Sequence, residues 1–250
     1  MSKEKKNKKE EGKKKKKEEF SIDSEQMTRA GLHFGHKVSV VHPKMKPYIF
    51  GARNGVHIID LEKTLDKFKK TLEFIKKIIS EDKVLLFVGT KIQLKDLTED
   101  IALKCGLPYV KERWLGGTLT NFGTIKKRID YFKELEEKKK KGEFKKYTKK
   151  EQSKIDKELR DLEIKFGGIK KLEKIPDVIF VLDMKNDALA VKEARSKGVV
   201  VVGIVDTNVD PGLADYLIPA NDDAISSVGY ILEKVKEAIL KSKTKDKKEK

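Results

Sequence analysis

Val199-Val200-Val201-Val202-Gly203-Ile204-Val205 is a continuous apolar run rich in β-branched residues, with no polar side chain to face water on either side. A strand of that composition has to be covered on both faces, as in a parallel sheet lying between layers of helices. Val84-Leu85-Leu86-Phe87-Val88 and Asp177-Val178-Ile179-Phe180-Val181-Leu182 read the same way. Around them lie helical patterns at 61–80, 92–105, 186–197 and 224–241, the first with Leu61, Leu65, Phe68, Leu72, Ile75 and Ile79 on one face. Right-handed helical crossovers between parallel neighbours give an α/β fold, a three-layer α/β/α sandwich with a mostly parallel central sheet of about five strands. Shorter strands at 56–59, 108–110 and 216–218 are expected to complete that sheet.

Residues 122–172 break the alternation. Phe122, Ile125, Ile129, Phe132 and Leu135 fall at three- and four-residue spacings, as do Ile155, Leu159, Leu162, Phe166 and Ile169. Each half is an amphipathic helix with one narrow apolar seam, and the seamless lysine-rich stretch 138–150 around Gly142 is the turn. The expected element is an inserted antiparallel coiled-coil hairpin. The chain then divides into a lysine-rich tail at 1–20, an α/β domain built from 21–121 and 173–240, the hairpin at 122–172, and a basic tail at 241–250.

A net charge of +17 favours polyanionic partners, nucleic acid first. Residues 1–20 hold ten lysines and five glutamates, and residues 241–250 six lysines and two acids, so the tails carry +5 and +4 and the rest +8. Such tails have too little apolar surface to offset their ordering entropy, and disorder is expected of both. They read either as solubilising segments or as non-specific RNA-binding arms. Cys105 is the only cysteine, which excludes an intramolecular disulfide and fits a reducing, cytoplasmic setting. No stretch approaches the roughly 20 apolar residues of a membrane span, and neither a membrane nor a small-molecule substrate is expected as a partner.

Catalytic signatures are missing: the sequence has no Gly-x-Gly-x-x-Gly, Gly-x-x-x-x-Gly-Lys-Ser/Thr, Gly-x-Ser-x-Gly or His-Glu-x-x-His. No catalytic residue is expected. Val88-Gly89-Thr90-Lys91 ends a buried strand just before a helix, where backbone amides and Lys91 can meet a phosphate; the plainer reading is a tight structural turn. Arg113-Trp114-Leu115-Gly116-Gly117-Thr118-Leu119-Thr120-Asn121 joins a flat cation, the only tryptophan, two glycines and short polar groups where the body gives way to the hairpin. That mixture suits a surface touching folded RNA, with Arg113, Trp114, Thr118 and Asn121 as contacts and Lys126, Lys127 and Arg128 extending them along the helix. Trp114 either stacks on RNA or anchors the hairpin base. Lys37, Lys44, Lys46 and Arg53 stand in glycine- and proline-interrupted loops with three histidines, a second basic surface for RNA or else ordinary solvated charge. Asp206, Asp222 and Asp223 should collect at the carboxyl edge of the sheet, and His36 joins them if the N-terminal segment folds back. One imidazole and several carboxylates can hold a divalent ion such as zinc, although Asp206 and Asp222 also suit turns and caps. No cofactor is otherwise required.

Several stretches resemble the S-two family of small-subunit ribosomal proteins in its bacterial form. They are Ala30-Gly31-Leu32-His33-Phe34-Gly35-His36, Asn54-Gly55-Val56-His57-Ile58-Ile59-Asp60, Phe87-Val88-Gly89-Thr90-Lys91, the Arg113–Asn121 stretch, Val205-Asp206-Thr207-Asn208 and Ile218-Pro219-Ala220-Asn221-Asp222-Asp223-Ala224-Ile225. The resemblance implies a non-enzymatic constituent of the small (30S) ribosomal subunit that binds its ribosomal RNA. It also implies protein neighbours, including the large S-one protein that captures messenger RNA. Two other readings remain at this stage: a nucleotide-binding α/β enzyme with its site at Gly89–Lys91 and Asp206, and an RNA-binding module outside the ribosome.

Overall fold

The computed structural model describes residues 22–246. The stretch 1–20 and residues 247–250 lie outside that range, and with them the expectation of disorder at those positions.

Five strands form an all-parallel sheet: β4 (Leu85–Val88), β5 (Tyr109–Val110), β6 (Val178–Val181), β7 (Val200–Val205) and β8 (Tyr216–Pro219), in the order β5-β4-β6-β7-β8. The register pairs Leu85 with Val178, Val178 with Val200, and Val202 with Tyr216. Because successive side chains point to opposite faces, Leu85, Phe87, Phe180 and Leu182 enter one core, while Leu86, Val88, Ile179 and Val181 enter the other. The first core is closed by α2 (Leu61–Ser80), α3 (Lys95–Cys105) and α7 (Ile225–Asp246), through Phe68, Leu72, Ile101, Ile231 and Val235. The second is closed by α6 (Ala188–Lys197), through Ala190, Val191 and Ala194, and by the two helices described next. Burial on both faces is what the unbroken apolar runs require.

The helices α4 (Phe122–Lys140) and α5 (Lys149–Phe166) form the inserted element. Their buried seam is Ile125, Ile129, Phe132, Leu135, Leu159, Leu162 and Phe166, continuous with the second core. Lys139 Nζ bonds Asp156 Oδ1 at 2.7 Å near the turn, and Lys126 Nζ reaches the Glu173 carbonyl at 3.4 Å near the base, so the two helices run antiparallel. Thr148 and Glu151 exchange bonds at the start of α5, satisfying amides that the first turn leaves without partners.

The N-terminal segment differs from expectation: the stretches around Lys37 and Arg53, read as loops, are strands, and the strand at 56–59 does not join the parallel sheet. Val56–Ile59 (β3) pairs antiparallel between β1 (Phe34–Lys37) and β2 (Ile49–Arg53) in a separate three-stranded sheet. Asn54 and Gly55, at φ 51° and 76°, make the two-residue turn that joins β2 to β3. Such a turn needs left-handed backbone at both positions, and an Asn-Gly pair ties a strand to its immediate predecessor, not to a distant parallel neighbour. The short helix α1 (Ser24–Arg29) precedes this sheet and sends Met27 into the first core. At the other end α7 runs to Asp246, past the expected body boundary at 240, so residues 241–246 are helical.

Candidate RNA and protein interface

The stretch 113–121 is folded around a buried carboxylate. Glu193 of α6 accepts from Trp114 Nε1 (3.3 Å) and the Gly117 amide (2.7 Å) on one oxygen. Its other oxygen accepts from the Leu119 amide (2.9 Å) and from the amide and hydroxyl of Thr120 (3.2 Å each). Burial pushes the Glu193 carboxyl up, but the amides of Leu119, Gly117 and Thr120 outweigh it and hold the group below the ordinary glutamate value. The loop therefore has a fixed shape, with its backbone donors turned inward.

This arrangement corrects two expectations. Trp114 is 5% exposed and lies in the second core, so it anchors the hairpin base and offers RNA no stacking face. Thr118 is also buried, its hydroxyl bonded to the Leu115 carbonyl at 2.6 Å. An indole beside small polar residues had suggested a wet surface; Glu193, distant in sequence, makes the same residues an interior. Arg113, Asn121, Lys126, Lys127 and Arg128 remain exposed at the junction. Lys37, Lys44, Lys46 and Arg53 are exposed, but not on loops as expected: Lys37 ends β1, Arg53 ends β2, and Lys44, bonded to Asp210 at 2.7 Å, and Lys46 stand in the 3-10 turn Pro43–Tyr48 between them.

The carboxyl edge of the sheet is a charge network. Sheet order reverses between β4 and β6, the place where folds of this kind usually bind nucleotides. Here that crevice is filled by the chain itself. The Thr90 amide and hydroxyl bond Asp187 at 3.3 and 2.7 Å. Lys91 Nζ lies 3.0 Å from Asp183, 2.6 Å from Asp223 and 3.5 Å from Asp222. Burial alone would depress the Lys91 ammonium; bonds to Asp223 and Asp183 and the Asp222 charge hold it above its ordinary value. The phosphate reading of Lys91 is corrected accordingly, since its charge is already met by carboxylates. A β-carbon at Gly89 would fall 2.4 Å from Thr98 Oγ1, so that glycine serves close packing of strand and helix.

His36 does reach this edge. Its backbone amide bonds Thr207 Oγ1 at 2.9 Å, its Nδ1 lies 3.2 Å from Asp206 and its Nε2 lies 3.5 Å from Asp223. The bond to Asp206 raises the imidazole above its ordinary value against the opposing effect of burial. Burial first, then the charges of Asp183 and Asp206, push the Asp222 carboxyl up to about 7. His36, Asp206 and Asp222 bring one donor atom each within 4.8 Å of one another, a spacing open to a divalent cation; Asp223 falls outside that group.

Residues 27–242 match the family described as Ribosomal protein S2. The chain belongs to that family. The Small ribosomal subunit protein uS2 of Dictyoglomus thermophilum is 50% identical over 88% of this chain and 89% of its own length. Its counterpart in Geotalea uraniireducens is 47% identical over 88% of this chain and 86% of its own, and that in Petrotoga mobilis 47% over 89% and 77%.

Membership in the S2 family makes the chain a structural, non-enzymatic protein. Three residues that shape these sites carry no motif: Glu193, Asp187 and Asp183. Glu193 had a signal, since it lies three residues after Ala190 and beside Ala194, on the inward face of its helix. A carboxylate among alanines on a buried face implies waiting donors.

Proposed function

We infer that this S2 family chain is a structural constituent of the small ribosomal subunit, working in the cytoplasm by holding ribosomal RNA and neighbouring proteins in place. The observation that carries this is the family match across 27–242, joined to the exposed cations on two surfaces, the N-terminal sheet and the hairpin junction. In this reading Arg113, Asn121, Lys126, Lys127 and Arg128 meet RNA where the hairpin leaves the body. Lys37, Lys44, Lys46 and Arg53 meet it through the N-terminal three-stranded sheet and its connecting turn. The α/β body of 21–121 and 173–240 acts as the platform, and the hairpin at 122–172, wound as a coiled coil, as the arm. Sucrose-gradient fractionation tests this: the chain should sediment with small subunits at moderate salt, and its absence from that peak would overturn the assignment.

For protein partners we propose that the carboxyl edge docks the S-one protein. Exposed Ile92, Leu189 and Ile225 follow β4, β6 and β8 at that edge, beside the carboxylates. Apolar residues rimmed by charge suit a protein contact better than RNA. We further propose that His36, Asp206 and Asp222, with Asp223 at the rim, can hold a divalent ion such as zinc in that contact. Lys91 competes for the same carboxylates, so the ion is an addition and not a requirement for folding. Binding of purified S-one protein to subunits carrying Ile225→Asp should fall at least tenfold, and an unchanged affinity would exclude this edge. Zinc content that is equal in the parent and in Asp222→Asn would exclude the ion.

A further inference from the structure

Phe50 is 81% exposed, although it lies within a paired strand and not in a flexible loop. Ile49 pairs with Ile59 and Gly51 with Ile58, leaving Phe50 as the extra residue of a β-bulge. A bulge re-aims one side chain while the strand around it stays held, and bulges cluster at functional sites. The neighbours are firmly placed: Met45 and Ile59 are buried, and the Asp60 amide bonds the Tyr48 carbonyl at 2.9 Å. Folding therefore gains little from this ring, yet fixes its position.

The surroundings are cationic. From Gly31 to Ile59 the sequence has no aspartate or glutamate, and it carries Lys37, Lys44, Lys46 and Arg53. Lys37 and Arg53 both pair with Val56 from opposite sides, so they stand in one row across the three-stranded sheet. Exposed Lys46 precedes the bulge and exposed Arg53 follows it. An exposed aromatic ring on a strand flanked by exposed cations is an arrangement by which proteins hold single-stranded nucleic acid, the ring stacking on a base and the cations meeting phosphates.

We propose that Phe50 stacks on an unpaired base of the small-subunit RNA and is the aromatic contact of this surface. The inference rests on the ribosomal reading above and deepens it from a charged surface to a base-stacking one. A protein pocket is the competing occupant, and charge favours RNA.

The test uses full-length protein rebinding to small subunits stripped of it, over a range of salt. Phe50→Ala should weaken binding roughly tenfold or more, leave the salt slope unchanged, and leave thermal unfolding unchanged. Phe50→Trp should bind as well as the parent, and Phe50→Leu as poorly as the alanine variant. A photoreactive phenylalanine analogue at position 50 should crosslink to RNA, in a product that ribonuclease shortens. The proposal is overturned if Phe50→Leu binds like the parent, if the crosslink goes to a protein, or if Phe50→Ala binds normally. Lys46→Ala with Arg53→Ala separates the two readings. If that pair weakens binding and lowers the salt slope while Phe50→Ala does nothing, stacking fails and the RNA surface stands.

Discussion

The indole Nε1 of Trp114 donates to the carboxylate of Glu193 at 3.3 Å, across 79 residues of chain. That oxygen also accepts the Gly117 amide, so the contact joins the body, through α6, to the loop from which the hairpin departs.

Glu193→Gln replaces one acceptor oxygen with a donor facing amides that already donate. Leaving a buried donor unmatched costs about 1–3 kcal/mol, and Glu193→Gln should lower unfolding stability by that amount or more. Trp114→Phe keeps most of the packing and should cost about 1 kcal/mol, while Trp114→Ala should cost about 3–5 kcal/mol. Urea unfolding of the three variants checks the order, and a neutral Trp114→Ala would contradict the buried placement.

Asp187 gives the protein a pH dependence of known sign. Burial pushes its carboxyl up to about 6 from an ordinary 3.8, against the opposing bonds from Thr90. Between those values the native state holds a proton that the unfolded chain has released, so this group's contribution to stability falls as pH rises through the window. Asp187→Asn removes that slope. Relative to the parent, the variant should gain up to about 3 kcal/mol between about pH 4 and 6.5, measured by denaturant unfolding at each pH.

Lys127→Ala combined with Arg128→Ala removes two exposed charges from the first turns of the hairpin. Each phosphate contact contributes about 0.7–0.9 to the slope of log affinity against log salt. The double variant should flatten that slope by nearly twice as much, with no change in melting temperature.

Gly89→Ala places a methyl group 2.4 Å from Thr98 Oγ1 and 2.6 Å from Leu182 Cδ1. Overpacking of this kind costs about 1–3 kcal/mol. Adding Thr98→Ala should restore part of the loss, and thermal unfolding of the pair measures how much.

The sheet was legible because its strands are covered on both faces and carry that fact in composition: Val178–Val181 and Val200–Val205 are apolar throughout. The two inserted helices were legible in their spacing, with Ile125, Ile129 and Phe132 in one seam. Val56–Ile59 went to another sheet because a four-residue strand, three of its residues β-branched, does not say which neighbour it pairs with; the Asn54-Gly55 turn does. At the site, exposed cations could be read from the sequence, but burial could not. Trp114 and Thr118 look like surface until Glu193 is brought to them, and Lys91 looks free until Asp183, Asp222 and Asp223 surround it. Phe50 escaped because the glycine- and proline-interrupted stretch around it reads as loop, whereas Ile49–Arg53 is a strand whose bulge turns this ring outward.

Leu85 pairs with Val178, so the central strand pair closes a loop containing α3, β5 and both hairpin helices. Closing a flexible loop costs about 0.6 kcal/mol more for each doubling of its length. Helices form from local contacts in about a microsecond, well before distant strands meet. The Thr148 and Glu151 exchange and the Ile125–Phe166 seam are both local to the insertion, so that segment can shorten before β6 arrives. Local pairing of the two inserted helices can thus draw the two halves of the sheet into range.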